Sequence, residues 1–436
     1  MQADTFITIG TSCLDTSFPP ATTVSLRLQL LLSGSGTQTL ANTRWLNYLD
    51  VSRLLSSDIS KTYCSTVDSS GYESLRKQNL SRSLFDSDIQ SRRSSFVDND
   101  DDSDWGEEEW PWDRALPLPE WGTERPELHF DDINSFEKFY NLVKENLEQY
   151  VAEFSYDTLT NFLTFSSEYL SQKNDYSSLQ EFYRDYDPPL ILGSYTCVGL
   201  SLNFMTKLSA FEKMFPGLKD AMYQVSCEEE IDQIDPYCST SSPPVTTCEK
   251  EHVLICIRIK IKDRIGVILL DPGYHVVKPI TVMMDRLYPH SGKILIGQKD
   301  SVTKYYSYEY HNNPAFVLWK VTEESTALSE KFSLVHVNRP FLSAVDISER
   351  RNLVYPFKSL LHRNSKGELT AGLYFKIRTF ETTKIVMFYI DDQQERKEAR
   401  IPLEFFLSPS SEEKDSNYDF YEEFVKTSRR RDLIMV

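Results

Sequence analysis

A chain of 436 residues is longer than one ordinary domain, and its formal net charge of −18 argues against a nucleic-acid binder and against adsorption to anionic membranes. Its 40% hydrophobic content is low for a chain folded throughout, yet 24 Tyr, 25 Phe and 6 Trp supply a large core, so a folded part diluted by polar segments is expected. Seven cysteines with no CxxC pair and no zinc-site spacing suit a reduced, cytoplasmic protein better than a disulfide-stapled one. The alternative is a secreted form bridged among Cys227, Cys238 and Cys248, which gather near a Pro-containing loop.

Residues 1–122 read as a disordered tail, rich in Ser, Thr, Asp and Asn and without a sustained apolar period. In Ser91-Arg92-Arg93-Ser94-Ser95-Phe96 the two arginines precede Ser95 as a basophilic kinase requires, and a chance match in a Ser-rich tail is the competing reading. Residues 98–112, DNDDDSDWGEEEWPW, interleave acids with Trp105, Trp110 and Trp112. Such a tract suits docking on a basic protein surface; a solvated run of charge is the plainer reading. No run of about 18 apolar residues exists to span a membrane. The apolar patch at 26–32 is broken by Arg27 and Gln29 and lacks the lead-in of a signal peptide.

From 123 to 405 the composition is that of one α+β domain, with a helical N-terminal part and a cysteine helix packed on an antiparallel sheet or barrel. Phe136, Phe139, Tyr140, Val143, Leu147 and Val151 recur at spacings of three and four, which predicts an amphipathic helix, and Asp131 and Asp132 suit its N-terminal dipole. Two more helices are expected over 157–171 and 176–186, the second stopped by Pro188-Pro189. The stretch GSYTCVGLSLNF (193–204) then opens a helix running to about 214, which Pro216-Gly217 ends. Residues 226–251 read as a loop.

Beyond it the period switches to two. Ile255, Ile257, Ile259 and Ile261 alternate with other residues, which predicts a strand with one buried face; Asp263-Arg264 forms a turn, and 265–270 returns as the second strand of a hairpin. Further strands are expected at 304–310, 315–321, 332–337, 369–380 and 384–390. Residues 406–436 read as a charged C-terminal tail, whose closing Ile434-Met435-Val436 has the form of a PDZ ligand.

A thiol nucleophile needs a favoured thiolate, a base and a group that orients the base. Cys197 meets the first need at the start of a helix, with Thr196 or Ser194 as N-cap and backbone N–H groups placed to hold an oxyanion. His252, where the alternating strand begins, is the candidate base, and Asp271, where the next strand ends, is the orienter. In a hairpin with an even loop the pairing sum is odd, as is the sum of positions 252 and 271, so both side chains share one face near one end. Taken singly, each has a plainer role: a buried small residue, a surface histidine, a turn-forming aspartate before Pro272-Gly273. His275 is a rival base. Arg258 and Lys260 share the His252 face under strict alternation and are weak candidates to bind an anionic substrate group.

Cysteine on a helix, then histidine and aspartate on adjacent antiparallel strands, resembles the papain-like and transglutaminase-like thiol superfamily, and within it the arylamine N-acetyltransferases. The Asp-x-Gly-aromatic segment of that family has its counterpart in Asp271-Pro272-Gly273-Tyr274, with Pro279 downstream. The resemblance implies a Cys197-His252-Asp271 triad that performs thiol-dependent acyl transfer or amide and peptide hydrolysis on a small-molecule or peptide acyl substrate, and it admits acetyl-CoA or another acyl-CoA. Thr196 stands where the acetyltransferases carry Arg, and Gly199 where they carry Glu. No phosphate-binding loop or metal-ligating motif appears, so no metal or nucleotide cofactor is indicated. The alternative is a catalytically inactive member of the same fold, used as a protein-interaction or regulatory module.

Overall fold

The computed structural model describes residues 119–425, apart from 173, 191–195, 229–230, 232, 240–251, 275, 300–301, 326–327, 355–356, 378–382, 407–419 and 422. Strand β1 (Leu128–Phe130) leads into α1 (Ile133–Glu153), where Asp132 and Ser135 close a capping box and the Asp132 carboxylate accepts from the Ser135 amide at 2.8 Å. The apolar stripe of α1 is buried as its spacing requires, except for Tyr140, which is only half-buried. Strand β2 (Tyr156–Asp157), α2 (Leu159–Gln172) and α3 (Leu179–Asp185) follow, and then the cysteine helix α4 (Cys197–Leu208). That helix is shorter than its apolar content suggests: a 3-10 turn (Ser209–Lys213) replaces it before Pro216, and α5 (Leu218–Ala221) starts afresh from Gly217, whose φ of 92° is open to glycine.

The segment expected to be a loop from 226 holds part of strand β3 (Met222–Glu228) and a short helix α6 (Ile234–Cys238). Every residue of β3 is buried, so it carries no alternation for a period-two reading to find. Strands β4 (His252–Ile261) and β5 (Arg264–Asp271) form the expected hairpin, and β6 (Val276–Met283), β7 (Lys293–Lys299), β8 (Val302–Tyr310), β9 (Phe316–Glu324) and β10 (Leu328–His336) continue the sheet. A π-helix (Ala344–Glu349) runs into α7 (Arg350–Val354), and β11 (Phe357–Arg363), β12 (Leu369–Lys376), β13 (Lys384–Ile390) and β14 (Arg396–Pro402) complete the strands. Among the described residues β1, β2, β3, β6, β7, β11 and β14 have no counterpart among the expected strands.

The fold is α+β. The larger sheet runs β6-β5-β4-β3-β10-β9-β8-β7, antiparallel throughout, with β1 added parallel to β4 at Ile259–Ile261, where β3 has ended. Leu254, Cys256, Val267 and Leu269 from one end of this order share a core with Tyr306, Tyr308, Val317 and Trp319 from the other. A flat sheet would hold those strands far apart; the sheet is therefore curled into a half-barrel that closes over its own interior. Its outer face carries α1 and α4, whose Phe136, Phe139, Leu200 and Phe204 pack on Ile255, Ile257, Ile259 and Ile268. Strand β4 is thus buried on both faces rather than one, because helices cover the isoleucine side and the curled sheet covers the other.

A second antiparallel sheet, β14-β13-β12-β11-β2, packs against α2 and α3. Its edge strand β2 belongs to the N-terminal helical part, which ties this sheet to the helix layer of the half-barrel. Tyr421 and Phe424 are buried in the same core, so the chain past 405 returns to the folded body. At the other end Trp121 bridges to Phe341, and the Glu120 amide donates to the Ser343 hydroxyl at 2.7 Å. Among the described residues no helix is long and apolar enough to cross a membrane.

Candidate active site

The cysteine helix begins where it does because Thr196 is extended (φ −106°, ψ −174°) and its hydroxyl accepts from the Val198 amide at 3.3 Å. Two further side chains fix the first turn. The Gln224 side-chain amide on β3 donates to the Val198 carbonyl at 3.2 Å and to the Ser201 hydroxyl at 2.6 Å, and the Tyr150 hydroxyl on α1 donates to the Leu200 carbonyl at 2.8 Å. Cys197 therefore sits at the N-terminus of a helix held from both flanking elements.

The β4–β5 register runs from Ile255↔Leu270 to Ile261↔Arg264, which makes a two-residue loop of Lys262-Asp263, one position earlier than Asp263-Arg264. Lys262 takes φ 54° there, a cost a tight hairpin imposes on a non-glycine residue. The loop is even, the pairing sum is odd, and His252 and Asp271 share a face one diagonal step apart. His252 Nε2 and Asp271 Oδ1 are 3.0 Å apart. The Tyr274 amide donates to the same carboxylate oxygen at 2.8 Å, and the Tyr274 ring stacks on the imidazole at 3.7 Å between centroids, 12° from parallel. These two contacts hold both the acid and the plane of the ring.

The Cys197 thiol hydrogen-bonds to His252. With Nε2 engaged by Asp271, Nδ1 is the nitrogen left for the sulfur. Gly273 lies against both groups: a Cβ there would stand 2.6 Å from Cys197 Cβ and 3.0 Å from His252 Cε1, so only glycine admits this approach of backbone to thiol. Burial works to discharge the imidazole, but the Asp271 carboxylate and the Cys197 thiol outweigh it and hold the His252 pKa above its ordinary value. The site is closed to solvent, with Cys197 and His252 each 1% exposed and Asp271 0%.

Arg258 and Lys260 do not join it. Arg258 is six residues from His252, about 20 Å along the strand, and its guanidinium pairs with Glu127 at 3.1 Å and with Glu124. Lys260 lies farther still, in the register paired with β1. Ser95, the 98–112 tract, Ser194, His275 and the C-terminal Ile434-Met435-Val436 fall outside the described residues. Cys227 and Cys238 carry no disulfide, and Cys248 lies outside the described residues. Among the described residues no three His, Cys, Asp or Glu side chains are grouped as metal ligands.

Behind Cys197 lies a group that sequence reasoning missed. Glu349, at the end of the π-helix, is buried and accepts hydrogen bonds from the Thr196 hydroxyl and from the Asn161 side-chain amide on α2. It stands 153 positions from Thr196 in the chain, and no local pattern marks it. Comparison of the chain with protein-family models, with curated proteins and with solved structures returns no match.

Proposed function

We propose that the chain is a thiol-dependent acyltransferase or amide hydrolase, built on a papain-like and arylamine N-acetyltransferase-like core, in which Cys197, His252 and Asp271 act as a triad. The observation that carries the reading is the line of contacts from thiol to imidazole to carboxylate at a capped helix N-terminus. With the pair's proton held on His252, the sulfur attacks the acyl carbonyl carbon; a C–S bond forms as the substrate's C–N or thioester C–S bond breaks. His252 returns the proton to the departing amine or thiol. Water or an amine then attacks the thioester, His252 takes the proton of that nucleophile, and the thiol is restored. Asp271 keeps the imidazole oriented with Nε2 engaged throughout. Buried cysteines without a disulfide suit the cytoplasm, and an acyl-CoA thioester or a small amide suits the chemistry.

A second reading has its own observation. The near-complete burial of all three side chains favours a non-catalytic relative of the fold, in which the same contacts serve as core. Incubation with p-nitrophenyl acetate followed by peptide mapping separates the two. An acetyl adduct concentrated on Cys197 and abolished in His252→Ala is the expected result; acetylation spread evenly over the cysteines, or none, contradicts catalysis.

A further inference from the structure

Thr196 has one hydroxyl and two obligations: it accepts from the Val198 amide and donates to Glu349. A hydroxyl has one proton and two lone pairs, so sending its proton to a carboxylate leaves a lone pair free for the helix. We propose that Glu349 is a positioning residue for Cys197, whose carboxylate sets the Thr196 hydroxyl as the cap of the cysteine helix and whose protonation releases that cap, coupling the reactivity of Cys197 to pH. This inference rests on the triad reading above and adds a regulatory input to the same site.

The geometry decides where the added proton must go. Asn161 Nδ2 can only donate, and it occupies Glu349 Oε1, so a neutral Glu349 carries its proton on Oε2, facing Thr196. That O–H donates to one lone pair of the Thr196 oxygen and displaces the Thr196 proton, which can no longer go to Glu349. Thr196 then has no acceptor for its own proton on this side. Turning the hydroxyl to place that proton elsewhere takes the Thr196 oxygen off the Val198 amide, the second of α4, which begins at Cys197. Glu349 itself is aimed by the wide turns of the π-helix at its C-terminal end, an uncommon geometry that recurs at functional positions.

The groups that face the carboxyl explain when the exchange occurs. Burial is the largest influence and raises its pKa. The Thr196 and Asn161 bonds and the Lys358 ammonium on β11 act against that, and Asp157 at the end of β2 adds to it; the balance leaves Glu349 pushed up to about 7. Lys358 is fully buried and spends its donors on the Asn352 and Leu353 carbonyls at 2.9 Å, and Asp157 caps α2 by accepting from the Leu159 and Thr160 amides at 2.9 Å. Proton exchange at Glu349 therefore falls near neutral pH.

Glu349→Gln mimics the protonated acid, with an N–H donor facing Thr196. The test is the rate of Cys197 alkylation by iodoacetamide across pH 5.5 to 9, read by peptide mass spectrometry, in wild type, Glu349→Gln, Thr196→Val and Thr196→Ser, each checked by thermal melting. Beyond the rise from thiolate formation that every variant shares, wild type is expected to show a further step of about fivefold near neutrality, Glu349→Gln and Thr196→Val to lack that step, and Thr196→Ser to keep the wild-type profile. A folded Glu349→Gln with an unchanged profile overturns the proposal, as does Thr196→Ser behaving like Thr196→Val. Should Glu349→Gln not fold, the two Thr196 variants decide alone. Alkylation of Cys197 that is indifferent to His252→Ala would instead defeat the triad reading; dependence on His252 with no dependence on Glu349 defeats only this inference.

Discussion

Two buried charge clusters flank the start of the cysteine helix, and the molecule treats them differently. On the half-barrel side, His252 and Asp271 touch at 3.0 Å, and the imidazole is held above its ordinary pKa despite complete burial. On the side of the second sheet, Glu349 and Lys358 are just as buried, yet each is satisfied by neutral groups: Thr196 and Asn161 for the acid, two backbone carbonyls for the amine. There burial prevails, pushing the carboxyl up to about 7 and the amine well below its ordinary value. Direct pairing sustains charge in a core; separation by neutral bonds drives both partners toward their uncharged forms. The first cluster is built to hold a charge steadily beside a thiol, and the second to change its charge.

The contrast can be broken at each end. Asp271→Asn should have the largest effect on stability, a loss of about 3–5 kcal/mol in urea unfolding at pH 6, because it leaves a buried imidazolium without its partner. The sign follows from linkage. The His252 pKa is raised in the fold, so its contribution is complete below the usual imidazole value and drains as pH rises through the folded value; the deficit of Asp271→Asn should shrink at alkaline pH. A deficit that grows with pH would refute the pairing.

Gly273→Ala should cost about 1–3 kcal/mol by overpacking, and the methyl 2.6 Å from Cys197 Cβ should also push the thiol from the imidazole and cut acetylation of Cys197. Near-wild-type stability and labelling in this variant would show that the approach of Gly273 is not needed.

At the second cluster the effects are smaller. The pKa of Glu349 is raised from an ordinary 4.5 to about 7, so its contribution is complete below pH 4.5 and is lost as pH rises through about 7. Glu349→Gln should flatten that slope, a difference of about 1–3 kcal/mol between pH 5 and pH 8. Lys358→Met, which removes the Nζ that stands over the Phe162 ring and donates to the Asn352 and Leu353 carbonyls, should cost about 1–3 kcal/mol and move the Glu349 inflection upward, since the ammonium lowers it. A downward shift would contradict the placement of charge.

Much of the first cluster was legible in the sequence and almost none of the second. Cys197 at a helix start, and His252 and Asp271 with matching parity on a hairpin, are local facts: a cap, a period of two and a short loop fix them. The helix α1 was legible for the same reason, as its stripe repeats over 21 residues. Strand β3 was not, because a strand buried on both faces has no alternation to read. Arg258 shares a face with His252 by parity, but parity ignores distance along the strand, and its true partners, Glu124 and Glu127, are about 130 residues away in sequence. Glu349 reaches Thr196 only because a second sheet, through β2 and β11, brings α2 and the π-helix to the foot of the cysteine helix. No spacing within the chain encodes that meeting.

The most direct test of a triad at Cys197 is its alkylation by iodoacetamide at pH 7 against that of Cys227, Cys238 and Cys256, in wild type and in His252→Ala. Cys197 should react at least about tenfold faster than the other three and fall to their level when His252 is removed. Cys197 reacting no faster than its neighbours in the wild-type protein would contradict the account at its centre.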